Sequence, residues 1–225
     1  MRAMFERIAG VYDAMNSIMT AGLHHRWRER AADLAAVRAG DRVLDVATGT
    51  GDLALALAER VGPAGEVIGA DFAESMLARA RAKAGASALH NVSFCRADAL
   101  ALPFPDDHFA AATVAFGARN FADLPGALAE LVRVVAPGGR VVILEITQPQ
   151  RGVLAPFFAV WFDRIVPALG RFARSPEAYD YLPRSVRAFL SPAQLAAEME
   201  RAGLLQISYL LTAGGIIAIH AGTVP

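Results

Sequence analysis

Cysteine is nearly missing from this chain: Cys95 is the only one among 225 residues. An intrachain disulfide is therefore excluded, and so is a cysteine-built metal cluster. A reducing cytoplasm is the natural compartment for such a composition. An excess of charge is also missing, because 22 basic residues balance 22 acidic ones. That leaves no bulk attraction for nucleic acid. No uncharged apolar run reaches the roughly 18 residues that a membrane span needs. The first residues carry Arg2, Glu6 and Arg7 and lack the apolar core of a signal peptide. The length fits one globular domain.

What is present is alternation. Strands are predicted at Arg42–Val46, Glu66–Ala70, Val92–Cys95, Ala110–Phe116 and Arg140–Ile146. Helices are predicted at Leu53–Arg60, Ala73–Lys83 and Asp123–Val134. Strands alternating with helices predict an α/β fold, with a parallel sheet covered on both faces. Pro137-Gly138-Gly139 reads as the stop of the third helix. Gly203–Leu211 and Gly215–Ala221 read as an antiparallel hairpin closing the sheet, after a last helix at Pro192–Ala202. Within one domain, residues 1–36 read as a helical cover and 37–150 as a cofactor-binding core. Residues 151–190 read as a lid-like insertion, and 191–225 as the C-terminal helix and hairpin.

The most informative stretch is Val43–Asp52, Val-Leu-Asp-Val-Ala-Thr-Gly-Thr-Gly-Asp. A short strand enters a turn in which Gly49 and Gly51 let backbone approach a ligand. A second strand ends at Asp71, followed by Phe72. Strand, glycine turn, helix and an acid ending the next strand describe a nucleotide-type site. Ala54 satisfies the third small position of a dinucleotide fingerprint, so spacing alone does not decide the cofactor. Asp52 is the deciding residue in this reading. A carboxylate at the helix mouth repels pyrophosphate and suits S-adenosylmethionine, a cation without phosphate. Asp71 then suits ribose hydroxyls, and Asp98, beside Ala99 after the third strand, suits the adenine amino group. Asp45, Thr48, Thr50 and Ala115 complete the expected cofactor set. The alternative is that the acids are caps and turn residues.

This arrangement resembles a class I methyltransferase, Rossmann-like, with a mostly parallel seven-stranded sheet and an antiparallel C-terminal hairpin. Further motifs sharpen the resemblance. Tyr12-Asp13-Ala14-Met15-Asn16 with His24 and Trp27 is similar to the N-terminal signature of the ubiquinone/menaquinone-biosynthesis C-methyltransferases. Phe116-Gly117-Ala118-Arg119-Asn120-Phe121 resembles that family's central motif. Arg133–Gly139 with Leu144-Glu145, Tyr181-Leu182-Pro183-x-Ser185 and Gly214-Gly215-x-x-Ala218-x-His220 resemble its later ones. The resemblance covers essentially the whole chain. Departures are mild: Thr20 and Thr147 stand where serine is usual, Ala136 where lysine is usual. Ala115 stands where the family often has a serine beside the cofactor, and Thr48 replaces a smaller residue.

The resemblance implies methylation of a ring carbon in a prenylated quinol, with S-adenosylhomocysteine as the second product and no metal required. The compact chain favours demethylmenaquinol over the benzoquinol of ubiquinone synthesis. Such a carbon is a poor nucleophile until a neighbouring hydroxyl becomes phenolate. Arg119 is the expected stabiliser of that oxyanion, with Asn120 as its partner. Tyr12 and His24 are further catalytic candidates, and His24 has the chemistry of a proton carrier. Its rival role is to hold the helix–helix turn. Tyr181 and Ser185 are candidate quinol contacts. The apolar segment Val153–Phe162, interrupted by Asp163 and Arg164, fits either a lid touching the inner membrane surface peripherally or a buried helix or homodimer contact. Two other functions stay open: methylation of a different hydrophobic small molecule, and a non-catalytic module binding cofactor or lipid.

Overall fold

The computed structural model describes Ser17, Met19, Thr20, residues 22–148 and residues 176–225. Tyr12, with residues 1–16 of the expected helical cover, and the apolar segment 153–162 lie outside the described residues. The strands are β1 (Arg42–Val46), β2 (Glu66–Asp71), β3 (Val92–Arg96), β4 (Phe109–Ala115), β5 (Val135–Ile146), β6 (Leu205–Thr212) and β7 (Ile217–Thr223). The helices are α1 (Leu23–Leu34), α2 (Asp52–Val61), α3 (Glu74–Ala86), α4 (Leu124–Val134), α5 (Pro176–Ala188) and α6 (Pro192–Arg201).

One seven-stranded sheet has the order β3-β2-β1-β4-β5-β7-β6. β1 pairs parallel with β2 and with β4, and β5 pairs parallel with β4. β7 runs antiparallel to both β5 and β6, as the predicted closing hairpin requires. The central strands are apolar on both faces because helices cover both. Leu44, Val46 and Ile143 pack with Leu128 and Leu131 of α4 and Met199 of α6. Val43, Val67 and Val142 pack on the other side with Ala31 of α1 and Leu57 and Val61 of α2. Each such large side chain removed from water contributes about 1.5–3 kcal/mol.

Local chemistry sets the helix ends. Asp123 accepts the Gly126 N–H at 3.1 Å to cap α4, and Ser191 with Gln194 forms a capping box on α6. One reading needs correction. Pro137-Gly138-Gly139 does not separate helix from strand, because β5 starts at Val135, opposite Phe109. The pairing shifts register between Phe109 and Ala111, and Gly138 (φ +79°) carries the chain through that irregularity. Its N–H is used by Val224 O at 2.9 Å. β7 likewise starts at Ile217 rather than Gly215, because Ala213–Gly215 makes a tight turn first.

The sheet order creates the site. From β1 the chain crosses through α2 to β2 on one side, whereas β4 lies on the other side of β1. Connections leaving the carboxyl ends of β1 and β4 therefore diverge, and a crevice opens where ligands bind in such sheets.

Candidate active site

A cavity opens at those two strand ends. Its lining includes Ala47 after β1, Gly49, Asp71 and Phe72 after β2, Met76, and Ala115 through Gly117 after β4, with Asn120 and Phe121 closing it. The backbone is forced at both rims. Ala47 and Phe116 adopt φ of +54° and +59°, a left-handed conformation rare for a bulky residue. Gly117 permits their approach, since a Cβ there would stand 2.4 Å from Ala47 Cβ. Gly51, at φ +85°, presses against Phe94 and Ala80 in the same way.

Four acids were expected at this end of the sheet, and they do different work. Asp45 is only 1% exposed and does not reach the cavity. Its carboxylate accepts the hydroxyls of Thr48 and Thr113, both at 2.7 Å. Burial pushes it up to about 6, against the pull of those hydroxyls and Arg28. Asp45 and Thr48 thus brace the glycine turn from beneath. Asp71 reaches the cavity while accepting the Gly49 N–H at 2.8 Å and the Ala73 N–H at 2.9 Å. A carboxylate at this place can accept a ligand hydroxyl. Asp98 is exposed, accepts the Leu100 N–H at 3.0 Å in a turn, and is not part of the cavity lining described above. Ala99 packs half-buried against the core.

Asp52 corrects the electrostatic argument drawn from the sequence. Lys83 Nζ contacts it at 2.6 Å, and Arg28 Nη1 lies 3.6 Å away. Burial alone would raise its pKa, but Arg28 and then Lys83 outweigh that and hold it below the usual range. Lys83 also donates to the Thr50 hydroxyl at 2.9 Å. Two cations against one carboxylate leave the mouth of α2 net positive, so Asp52 does not by itself exclude phosphate.

His24 is 2% exposed. Arg28 donates to its Nδ1, and Nε2 lies 3.1 Å from Ser17 Oγ. An arginine can only donate, so Nδ1 carries no proton and the ring's hydrogen sits on Nε2, facing Ser17. These contacts fit the helix-holding role of His24, with neither nitrogen left for a substrate. His24, His25 and Asp52 present ligand atoms within 4.8 Å of one another, but the Arg28 guanidinium sits among them.

On the opposite rim, Arg119 is buried against an acid that sequence reading did not place in the site. Arg119 Nη1 donates to Glu145 Oε1 at 2.5 Å and to Phe116 O at 2.7 Å. The two side chains are 8% and 2% exposed. Arg119 Nε is buried with no acceptor among the described residues. Next to it, the Tyr181 hydroxyl donates to Asn120 Oδ1 at 2.7 Å. Burial pushes the Tyr181 phenol up, with Arg119 lowering and Glu145 raising it. Ser185 donates to Leu182 O at 3.0 Å, within its own helix. Arg119, Asn120 and Tyr181 are therefore brought together, while Ser185 supports the helix that carries Tyr181. A lone glutamate inside the apolar run Val141–Ile146 was the available signal for Glu145, since such acids are buried only when paired.

The family model for the ubiE/COQ5 methyltransferases matches residues 1–224. The chain belongs to that family. It is 52% identical over 223 residues to the demethylmenaquinone methyltransferase of Thermus thermophilus, covering 99% of this chain and 100% of that one. It is 41% identical over 222 residues to the ubiquinone/menaquinone biosynthesis C-methyltransferase UbiE of Teredinibacter turnerae, covering 98% and 89%. Solved SAM-dependent methyltransferases share the fold. One from Aquifex aeolicus has a TM-score of 0.66 at 21% identity, covering 88% of this chain and 89% of that one. One from Thermotoga maritima has a TM-score of 0.67 at 19% identity and covers all of both chains. The cavity suits the adenosyl cofactor of these methyltransferases: Phe72, Met76 and Phe121 supply apolar walls, Asp71 a hydroxyl acceptor, and Gly49 open space where a Cβ would meet nothing within 4 Å.

Proposed function

We propose that this chain transfers the methyl group of S-adenosylmethionine to a ring carbon of a demethylated prenyl quinol, demethylmenaquinol in the first instance. The observation that carries this reading is the buried Arg119–Glu145 pair beside Asn120 and Tyr181, at the rim of the cofactor cavity. The quinol ring carbon gains the methyl and loses its proton to water, and S-adenosylhomocysteine is the second product. The bound cofactor supplies an electrophilic methyl on sulfur. Asp71, Gly49 and Phe72 hold its adenosyl part, and Asp45 with Thr48 keeps the glycine turn in shape.

Arg119 stabilises the quinol oxygen as it takes on negative charge. Glu145 fixes the plane of the guanidinium, and the positive charge of the guanidinium acts on that oxygen across the rim. Asn120, anchored by Tyr181, lines the cavity and orients the ring. His24 acts at one remove, by seating Arg28 and the turn into α1.

The test is a labelled-methyl assay with demethylmenaquinol and with the benzoquinol precursor. Arg119→Ala should lose about 100-fold or more in turnover while binding S-adenosylhomocysteine as tightly as the wild type. Unchanged turnover removes Arg119 from the mechanism, and no turnover of either quinol by the wild type removes the substrate.

A further inference from the structure

Among the described residues, Arg28 has donors left over after its pairing. It is 7% exposed. Nη1 serves His24, through the ring Nδ1 and, at 3.5 Å, the carbonyl. Asp52 lies 3.6 Å from Nη1, beyond hydrogen-bond distance, and that carboxylate has its close partner in Lys83 at 2.6 Å. Neither Nε nor Nη2 of Arg28 donates to any described residue, and neither is sealed from solvent as Arg119 Nε is. The guanidinium stands 5.4 Å from the centre of the Phe116 ring, and Phe116 lines the cavity. It also borders the first residue of α2, where the unpaired N–H groups of a ten-residue helix add positive potential. Arg119, by contrast, is neutralised at contact distance by Glu145.

We propose that Arg28 binds the carboxylate of the methionine part of S-adenosylmethionine through its free Nε and Nη2. The cofactor has one anionic group, that carboxylate, at the end opposite the adenosine. With the ribose at Asp71, the other end points along the crevice toward the carboxyl ends of β1 and β4, where Phe116 and Arg28 stand. A guanidinium offers two parallel donors to such a group. Asp52 and Lys83 offset each other, so Arg28 is left as the net positive charge. α1 thereby holds the cofactor through a salt bridge of its own.

This rests on the cofactor assignment and not on the quinol. Calorimetry with S-adenosylmethionine and with its decarboxylated analogue, on the wild type and on Arg28→Met, tests it without turnover. The wild type should prefer the carboxylate-bearing ligand by about 10- to 100-fold, and Arg28→Met should abolish that preference while keeping its affinity for the analogue within about 3-fold. Arg28→Lys retains charge without the fork and should keep part of the preference; it decides the question if the methionine variant does not fold. Equal weakening of both ligands by either substitution overturns the proposal, because it marks a purely structural role. A wild type that binds both ligands equally overturns it alone, whereas a wild type that binds neither overturns the cofactor assignment with it.

Discussion

Replacing Asp45 by asparagine should flatten part of the protein's stability–pH curve, and the direction follows from burial. Asp45 is 1% exposed, and both of its oxygens accept threonine hydroxyls. Burial nevertheless lifts the acid from 3.8 to about 6. The folded protein therefore holds this proton more tightly than the unfolded chain does. Below about pH 4 both states are protonated and no penalty exists. From there to about pH 6 only the native state keeps the proton, and stability falls by about 1.4 kcal/mol for each unit of pH. Above that both states are ionised and the loss stays constant. The distance from 3.8 to about 6 makes the total about 3 kcal/mol.

Asparagine has no such titration. Its amide oxygen can accept one threonine hydroxyl, and its NH2 can donate to the other hydroxyl oxygen. The two proteins should thus differ little near pH 4 and by about 3 kcal/mol in favour of the variant near pH 7. Urea unfolding followed by circular dichroism across that range measures the difference. Asp52 and Glu130, whose acids are shifted downward, are present in both proteins and cancel. Parallel curves, or a gap that narrows as pH rises, would refute the reasoning.

Two further substitutions test the rims of the cavity. Gly117→Ala puts a methyl 2.4 Å from Ala47 Cβ, and should cost about 1–3 kcal/mol in chemical denaturation; an unchanged midpoint would mean that the two rims are not in register. Tyr181→Phe removes the donor to Asn120, and should raise KM for the quinol severalfold, about 1 kcal/mol, while cofactor affinity stays constant; a fall in cofactor affinity instead would move Tyr181 out of the quinol site.

The parts of the site that depend on local chain geometry were readable from sequence. Gly49 and Gly51 announce a turn that only glycine makes easily, and Asp71 announces itself by its place at a strand end. The antiparallel hairpin follows from two apolar runs separated by Thr212-Ala213-Gly214. What was not readable depends on partners far away along the chain. Asp52 reads as a bare carboxylate until Arg28, from an earlier helix, and Lys83, from a later one, fold onto it. Asp45 looks like a ligand contact because it sits two residues before the turn region begins, yet the neighbouring strand delivers Thr113 to its other oxygen. Pro137-Gly138-Gly139 carries every local sign of a break. Pairing with β4 and with the C-terminal tail overrides it, because an extended strand that misses one regular position still keeps the rest of its hydrogen bonds.

The Arg119–Glu145 pair limits the chemistry more than its pieces suggest. Burying an ion pair contributes little stability compared with apolar side chains of the same size, so its presence in a strand otherwise made of valine, leucine and isoleucine points to a use other than folding. A guanidinium does not give up its proton, so Arg119 cannot be the base that deprotonates a quinol. Glu145 accepts from Arg119 Nη1 and from the Ile146 N–H at 2.8 Å, contacts that turn it toward the protein. On the proposed reading, the pair offers a quinol a fixed guanidinium with a partly compensated charge. Such a group favours an oxygen whose negative charge is growing over one that is still neutral, because the attraction scales with the charge on that oxygen. That is the differential binding a methyl transfer to carbon needs.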